Sequence, residues 1–411
     1  MKILTVTSSY PKHRGDTTAP FIQAITRALA ARGHELAVVL PACPELDPEE
    51  IAGVSFHPYR YAPLDTLAVF GYAASLRADV ALRRSLYVVA PLALASGTAR
   101  LLTLARRGGF DLLHAHWMVP NGAMALPAHW IGGLPLVVSL HGSDVFLSEK
   151  KLLFRRAARR VLRSAAAITA CSDDLAQRSL QLGARRQPIT VPYGVDTSWF
   201  RPRSEEASEL RRRLGLSPHQ PTVLAVGRLV HKKGFEVLVD ATPHLLSVHP
   251  DLVVLLAGTG DLADDLMERA RGLGVAGRIR LVGTVPHQEL AAYYAAATLV
   301  AVPSVRDDAG NVDGLPNVLL EAMASGTPVV ASAVAGIPQA ARHDEEALLV
   351  PERHPQALAG AMLQLLASPE RRARLGARAR ARARQSFSWS KVGEQFEALF
   401  RSVAGIGRPP A

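Results

Sequence analysis

Short apolar segments alternate with amphipathic helical patterns along almost the whole chain. In the first half the apolar segments are KILTVTSS, HELAVVLP, FDLLHAHW, LPLVVSLHG, AAAITACS and ITVPYG. The second half continues this order with PTVLAVGRL, DLVVLLAGTG, RIRLVGTV, TLVAVPS, TPVVAS and EALLVP. Strands that alternate with helices form parallel sheets covered by helices on both faces. The sequence therefore predicts an α/β fold in which ligands bind beyond the carboxyl ends of the strands.

The length of the chain and a change of pattern near its middle predict two domains. A chain of 411 residues with 48% apolar content can form two cores of ordinary size. The segment YGVDTSWFRP at residues 193–202 follows the last strand pattern of the first half and precedes a charged helical pattern. We therefore expect a first domain over residues 1–195 and a second domain over residues 196–387.

The charge of the chain favours anionic partners. Lys and Arg number 47 against 36 Asp and Glu, which gives a net charge of +11. Residues 150–163 (KKLLFRRAARRVLR) predict an amphipathic basic helix, either a solvated face or a surface for an anionic membrane. Residues 371–384 (RRARLGARARARAR) predict an exposed helix rich in Arg. Because the chain has no RRM or KH signature and no zinc-finger pattern, nucleic acid is not the expected partner.

Cysteine content and hydropathy indicate a cytoplasmic protein, peripheral at most to the inner face of a membrane. Cys43 and Cys171 lie far apart and have no metal-ligand spacing, so neither a disulfide framework nor a structural zinc site is indicated. The first residues suit a β-strand better than a signal peptide. No apolar run reaches the roughly 18 residues that a membrane span needs.

Two carboxylates bracket a turn in residues 313–330 (DGLPNVLLEAMASGTPVV). Pro316 suits the first turn of a helix, where its missing N–H costs nothing. The amide groups that follow would form an anion site at the positive end of the helix dipole. Asp313 precedes this turn and Glu321 lies about one helical turn beyond it. The segment predicts an anion-binding turn flanked by acids.

A second segment places two cations at the end of a strand. In residues 225–241 (AVGRLVHKKGFEVLVDA) the strand ends at Gly227, and Arg228 and Lys233 flank a loop that Gly234 closes before a helix. An arginine binds phosphate oxygens in bidentate fashion and a lysine acts as a point charge. The loop would suit a diphosphate.

In their order along the chain, these two segments resemble the family 4 retaining glycosyltransferases, also called group 1 glycosyl transferases. Further segments that carry the resemblance are HGSDV, VPYGVDTSWFRP, LVGTVPHQELAAYYAAA and the FSW before the last helix pattern. The resemblance implies the GT-B architecture, with two Rossmann-like domains that face each other across a cleft. It also implies that the first domain binds the acceptor and is completed by a C-terminal helix at about residues 388–411, and that the second domain binds the donor.

The resemblance assigns roles in the second domain to individual positions. Arg228 and Lys233 match the pair that grips the departing diphosphate. Glu321 matches the acid that hydrogen-bonds the ribose, and Asp313 matches the acid that approaches the hydroxyls of the transferred sugar, where the family usually has Glu. The remaining matches are positions whose backbone faces the diphosphate or the nucleobase, namely Gly314, Leu315, Asn317 and Val318 for the diphosphate and Val282 and Thr284 for the base.

In the first domain the resemblance and the strand ends point to a smaller group. His141 matches the histidine that faces the donor sugar. Asp144, His116 and Trp117 are candidates for the acceptor side, as is His114. The family often has paired glycines after the first strand, whereas this chain has only Gly15 in SSYPKHRGDTTAPF, so Gly15, Asp16 or Thr17 is expected to make that phosphate contact.

The function that the resemblance implies is retaining hexosyl transfer. The donor would be a nucleoside-diphosphate sugar, most readily a UDP- or GDP-sugar. The acceptor would be the hydroxyl of a glycan or lipid-linked molecule in polysaccharide, glycolipid or cell-envelope glycan synthesis. The family needs no metal or other cofactor, and neither Asp264–Asp265 nor Asp307–Asp308 has recognisable partner ligands. A nucleotide-sugar epimerase of the same fold and a non-catalytic sugar-nucleotide-binding protein are the alternatives.

The acceptor itself is not identified by the sequence. The region from residue 56 to residue 102 is rich in Tyr, Leu and Ala, with helical spacing at Leu76, Val80 and Leu82. An apolar surface for a lipid-linked acceptor and ordinary core packing both explain this composition.

Overall fold

The structure is a computed structural model that describes residues 1–16, 18–62, 64, 68, 70–72 and 86–406. The chain divides into two compact units. The first consists of Met1–Pro192 together with Trp389–Ala411, and the second is Tyr193–Ser388. The end of the chain therefore belongs to the first unit.

The first unit contains a seven-stranded parallel sheet in the order β3-β2-β1-β4-β5-β6-β7. The strand order reverses between β1 and β4, which makes the carboxyl ends of these two strands the switch point of a Rossmann-like sheet. The strands are β1 (Lys2–Val6), β2 (Glu35–Pro41), β3 (Val54–Tyr59), β4 (Leu112–His116), β5 (Leu136–Leu140), β6 (Ala167–Ala170) and β7 (Ile189–Thr190).

Seven helices accompany this sheet in the described part of the first unit. They are α1 (Pro20–Ala30), α2 (Leu86–Arg107), α3 (Ala123–Gly132), α4 (Ser143–Lys150), α5 (Leu152–Ser164), α6 (Asp173–Gln181) and α15 (Trp389–Val403). Helix α15 packs against α1, and a Cβ on Gly393 would lie only 3.0 Å from the Cβ of Ala28. The aromatic stripe of α15 joins the core, with Val392, Phe396 and Phe400 buried beside Ile3.

The second unit contains a six-stranded parallel sheet in the order β10-β9-β8-β11-β12-β13. The predicted α/β class is confirmed in both units. The strands are β8 (Thr222–Val226), β9 (Val253–Ala257), β10 (Ile279–Gly283), β11 (Leu299–Val302), β12 (Val329–Ser332) and β13 (Leu348–Val350). The helices are α7 (Ser204–Arg213), α8 (Phe235–Leu246), α9 (Ala263–Gly272), α10 (His287–Ala296), α11 (Asn317–Ser325), α12 (Ile337–Ala340), α13 (Pro355–Ala367) and α14 (Pro369–Ser386).

Helix α14 corrects the expectation that residues 371–384 form a simply exposed helix. One face of α14 is buried through Leu375, Ala379 and Ala383. A Cβ on Gly376 would lie 2.2 Å from the carbonyl oxygen of Gly326, at the end of α11, so glycine permits the two helices to touch. Small residues bring backbones together without the bulky apolar stripe that marks a buried helix face.

The edge strand β3 was missed in the sequence. Its residues, VSFHPY, include the polar Ser55 and His57 and also Pro58. A central strand does not accommodate a proline, but an edge strand does. The positions that suggested a helix after it, Leu76, Val80 and Leu82, lie outside the described residues. Within the described part of the chain, no helix is both long and apolar enough to cross a membrane.

Candidate active site

The cationic loop of the second unit follows β8 and depends on two glycines. Gly234 has a φ of +65°, and a Cβ there would lie 2.0 Å from the carbonyl oxygen of Pro303, just after β11. At Gly227 a Cβ would lie 3.2 Å from Cε of Lys233. The first glycine therefore brings the loop against the end of the neighbouring strand, and the second leaves room for the lysine stem.

Asp313 lies between two lysines of this loop. Lys233 Nζ forms an ion pair with Oδ2 of Asp313, and Lys232 Nζ lies 3.4 Å from Oδ1. Burial alone would raise the pKa of Asp313, but the two ammonium groups, Lys233 first, outweigh this effect and lower the pKa to about 2. The carboxylate is therefore ionised at neutral pH. The structure brings the predicted residues Lys233 and Asp313 together and adds Lys232, which the sequence analysis missed.

Glu321 lies on α11 and is held by a side chain from α10. The hydroxyl of Tyr294 donates a hydrogen bond of 2.7 Å to Oε2 of Glu321, and Nε2 of His287 lies 3.8 Å from Oε1. Burial raises the pKa of Glu321, and these neighbours oppose the shift only in part. Tyr294 is fully buried, so it fixes the carboxylate in one orientation. Tyr294 was also missed as a site residue.

The turn before α11 presents backbone groups. Helix α11 begins at Asn317, and Pro316 is the residue before it, one position earlier than its predicted place in the first turn. The carbonyl oxygen of Gly314 accepts a hydrogen bond of 2.8 Å from the amide of Gly336, which fixes the loop. Leu315 is buried, so only its backbone is available to a ligand. The first amides of α11, including those of Asn317 and Val318, lie where helices bind anions.

Loops after β8, β9 and β10 meet at one edge of the sheet. The amide of Gly258 donates a hydrogen bond of 2.8 Å to the carbonyl oxygen of Gly283, and the hydroxyls of Thr259 and Thr284 lie 3.4 Å apart. A Cβ on Gly258 would lie 1.9 Å from the carbonyl oxygen of Gly227. The exposed Arg228, next to Gly227, therefore lies at the same edge of the sheet as Val282 and Thr284.

In the first unit, His141 follows β5 and contacts the end of β4. Its Nε2 lies 3.0 Å from Nδ1 of His116, and the rings of Phe21 and Trp117 lie 4.8 and 4.9 Å away between centroids. Burial, and then the charge of His114, lowers the pKa of His141 to about 3. His141 is therefore neutral at physiological pH. Its side chain is half-buried, so part of it is accessible.

Two predicted acceptor-side residues, His116 and Asp144, are buried instead. Their exposed fractions are 1% and 2%. Asp144 accepts hydrogen bonds from the amides of Met118 at 2.9 Å, Gly142 at 3.1 Å and His141 at 3.3 Å. Burial raises its pKa to about 6, and these amides limit the rise. Both side chains hold the loops after β4 and β5 in place, so we assign them a positioning role.

The neighbours of His116 explain the rest of this strand end. The side-chain amide of Asn121, which the sequence analysis missed, donates to the carbonyl oxygen of His116 at 2.6 Å and to the Ser8 hydroxyl at 3.1 Å. His114 is buried beneath α15 against Phe396 and Phe400 and bonds to Ser139, so it belongs to the core. Trp117 is half-buried and is the one acceptor-side candidate of this group with an accessible ring.

The loop after β1 is shaped by Asp16. This carboxylate accepts hydrogen bonds from the amides of Lys12 at 2.8 Å and Thr18 at 3.1 Å. Gly15 is exposed with a φ of +88°, a left-handed conformation that favours glycine. Its phosphate contact stays a prediction, and Thr17 lies outside the described residues.

Neither a metal-binding arrangement nor a surface groove in the described part of the chain adds a residue to the candidate site. Among the described residues, no group of three or more His, Cys, Asp and Glu is arranged to hold a metal ion. The expectation that sugar transfer needs no metal ion stays a prediction from the family resemblance. A groove between α7 and α10, lined by Trp199, Arg203 and Arg213 among others, contains none of the predicted site residues.

The protein has two α/β units, each built on a parallel sheet, and a lysine–aspartate cluster lies beside a helix N-terminus in the second. These features define a GT-B glycosyltransferase. The family description "Glycosyl transferases group 1" matches residues 206–382, and "Glycosyltransferase Family 4" matches residues 19–199. A D-inositol 3-phosphate glycosyltransferase of Corynebacterium aurimucosum is 33% identical over 339 residues, 78% of each chain. The chain belongs to the family 4, group 1 glycosyltransferases, which confirms the resemblance.

Other relatives match over nearly the full length. A GDP-mannose-dependent alpha-(1-6)-phosphatidylinositol monomannoside mannosyltransferase of Mycobacterium tuberculosis is 27% identical over 97% of this chain and 98% of its own. The structure of sucrose-phosphate synthase from Thermosynechococcus elongatus has a TM-score of 0.77 at 23% identity, covering 98% of this chain and 99% of that one. Anabaena HepE in complex with UDP-glucose has a TM-score of 0.73 at 22% identity, covering 98% and 100%. These structures establish the shared fold.

Proposed function

We propose that the protein is a retaining hexosyltransferase that moves a sugar from a nucleoside-diphosphate sugar to a hydroxyl of a glycolipid or lipid-linked glycan. The observation that carries this proposal is the cluster of Lys232, Lys233 and Asp313 beside the N-terminus of α11. A UDP- or GDP-sugar is the favoured donor, because one full-length relative is named for GDP-mannose and a structural neighbour was solved with UDP-glucose.

In this proposal the diphosphate of the donor lies between the cationic loop and the start of α11. Arg228 and Lys233 stabilise the negative charge that grows as the bond between the sugar and the diphosphate breaks. The amides of Asn317 and Val318 add partial positive charge without any cost of reorganisation. Lys233 then turns from Asp313 toward phosphate or is shared by both.

The two acids act on the sugar and the ribose. Asp313, ionised and released in part from Lys233, accepts hydrogen bonds from hydroxyls of the transferred sugar. Glu321, oriented by Tyr294, accepts hydrogen bonds from the ribose hydroxyls. In the first unit we assign His141 as the substrate-facing residue, with a neutral imidazole that donates or accepts without adding charge.

The proposed chemistry retains the configuration of the sugar. The bond from the anomeric carbon to the acceptor oxygen forms on the face from which the diphosphate leaves. The departing diphosphate oxygen takes the proton of the acceptor hydroxyl, so charge and protons balance without a protein nucleophile. Proton NMR of the product would give the anomeric configuration, and an inverted product would contradict this mechanism.

Substitution in the cationic loop tests the assignment most directly. We expect Arg228→Ala and Lys233→Ala each to lower kcat/KM by about 10² to 10³, the loss typical of an oxyanion-stabilising donor. Lys232→Ala is the matched control, because its ammonium lies farther from Asp313, and it should cost less than about tenfold. Near-normal turnover in both Arg228→Ala and Lys233→Ala would refute the assignment.

Two assays separate transfer from the alternatives. A thermal-shift screen of UDP-, GDP- and ADP-sugars identifies the donor, because a ligand that binds the folded state raises its stability. The stabilising sugar nucleotide is then incubated without acceptor: isomerisation would identify an epimerase. With acceptors of the two kinds for which the relatives are named, inositol phosphate and phosphoinositide glycolipid, turnover supports transfer and binding without turnover supports a non-catalytic protein.

A further inference from the structure

Four of the most exposed large apolar side chains lie on two neighbouring helices of the first unit. Trp130 and Ile131, at the end of α3, are 51% and 60% exposed, and Leu152 and Leu153, at the start of α5, are 64% and 74% exposed. Helices α3 and α5 pack against each other. We call these four residues and the exposed arginines of α5 the α3–α5 surface.

The exposed face of α5 combines arginines with leucine. At 100° per residue, Leu152 and five arginines fall within an arc of about 140°, and Leu153 lies at its border. The opposite face is buried through Ala158, Val161 and Leu162. The arginines of this face, all exposed, are Arg155, Arg156, Arg159, Arg160 and Arg163.

Some arginines on other helices pair with carboxylates. On α7, Arg213 pairs with Glu289, and on α14, Arg371 pairs with Asp344. Among the residues that the structure describes, no carboxylate pairs with any of the five arginines of α5. Arg160 instead lies over the ring of Trp130, 5.2 Å from its centroid. The positive charge of this face is therefore not neutralised within the protein.

We propose that the α3–α5 surface binds the interface of an anionic lipid bilayer. Arginine heads would lie at the level of the lipid phosphates while Leu152, Leu153, Trp130 and Ile131 enter the boundary of the acyl chains. A soluble polyanion would engage the arginines but would leave the leucines in water. The juxtaposition of both kinds of side chain favours the bilayer over a nucleic acid or a soluble polyphosphate.

The buried side of α5 connects this surface to the strand ends. A Cβ on Gly122 would lie 2.6 Å from Cγ1 of Val161, so α5 packs directly on the turn that follows His116. Helix α4 links His141 to α5 with one intervening residue, Lys151. If the proposed function holds, lipid-borne acceptors are delivered to the neighbourhood of His141. The lipid binding itself does not depend on that reaction.

Flotation of the full chain with vesicles tests the proposal. We expect binding to vesicles of phosphatidylcholine with about 30% phosphatidylglycerol and none to pure phosphatidylcholine. Arg156→Gln with Arg163→Gln should weaken binding about thirtyfold, since each basic residue near an anionic surface contributes about fivefold. The matched control, Arg378→Gln with Arg384→Gln on the exposed face of α14, removes the same charge and should change binding by less than about twofold.

A second pair of variants separates a bilayer from any other polyanion. Leu152→Ser with Leu153→Ser should weaken vesicle binding by at least about tenfold at unchanged charge. Equal losses in the α5 and α14 arginine pairs, or no loss in the leucine pair, would overturn the proposal in favour of unspecific charge attraction. All these side chains are exposed, so unchanged thermal unfolding serves as the control for folding.

Discussion

In both units the candidate site residues lie at the carboxyl ends of the strands of a parallel sheet, but the charges of these residues differ between the units. At the strand ends of the second unit, charged side chains lie together, with Asp313 between Lys232 and Lys233. At the strand ends of the first unit, the neutral side chains of His116 and His141 form a direct hydrogen bond. The carboxylates of both edges are largely buried, with the Asp313 side chain 15% exposed and Asp144 2% exposed, so the difference between them lies in their partners. Where lysines are present a buried carboxylate stays ionised, and where only amides are present its pKa rises.

The largest expected effect comes from removing the charge of Asp313. We expect Asp313→Asn to lower transfer about hundredfold, because a charged acceptor for the sugar hydroxyls is lost. The same change frees both lysines, so affinity for the free nucleoside diphosphate should rise roughly tenfold. Turnover assays and calorimetry with the nucleoside diphosphate measure the two effects.

The matched variant for this test is Asp313→Glu, which has the carboxylate that the family usually carries. It should retain most of the activity and the ion pair with Lys233. Parallel losses of transfer and of diphosphate affinity in Asp313→Asn would show that the aspartate only supports the loop.

Opposite pH dependences of stability should distinguish Asp313 from Asp144. The lowered pKa of Asp313 means that its contribution is present above about pH 4 and is lost as pH falls toward 2. The raised pKa of Asp144, about 6, means that its contribution is present below about pH 4 and is lost as pH rises toward 6. The changes amount to about 2 kcal/mol for Asp313 and about 3 kcal/mol for Asp144.

Denaturation of the wild type and of each Asn variant, followed from pH 2 to pH 7, measures how the free energy of unfolding changes with pH. Asp144→Asn should remove a fall in the free energy of unfolding between pH 4 and pH 6, and Asp313→Asn should remove a rise between pH 2 and pH 4. Slopes of the same sign at both positions would show that the two edges do not differ as described.

The smallest expected effect concerns His116, which acts through His141. In His116→Asn the amide nitrogen or oxygen can replace Nδ1, and activity should stay within about twofold of the wild type. His116→Phe keeps the ring but loses the hydrogen bond, so kcat should fall about tenfold with little change in KM for the donor. Equal losses in both variants would point to packing alone.

Much of the fold follows from local signals in the sequence. The predicted strands of both halves are present because each is a short apolar run bounded by polar or small residues. Strand β3 lacks such a run, since an edge strand with Pro58 needs only one neighbour. The buried face of α14 depends on Gly376 and alanines, whose role becomes visible only when Gly326 lies opposite.

The candidate site could be predicted where the residues are close in sequence or belong to a known motif. Lys233 and Asp313 were placed together by the family resemblance, and the structure brings them into contact. Tyr294 was missed because its partner Glu321 lies 27 positions away, and Asn121 was missed because it joins the nearby His116 to Ser8, 113 positions away. Polar residues at a strand end do not reveal which way they point, so Asp144 was expected to face the acceptor although it faces backbone amides.

The chain's return to the first unit has a consequence for its synthesis. The second unit, Tyr193–Ser388, is one continuous segment, whereas the first lacks α15 until the second unit has been made. The two passages between the units lie side by side, because the amide of Val195 donates a hydrogen bond of 2.7 Å to the carbonyl oxygen of Phe387. During translation the first unit therefore stays incomplete until α15 has been made, and the second unit is the first that can fold to completion.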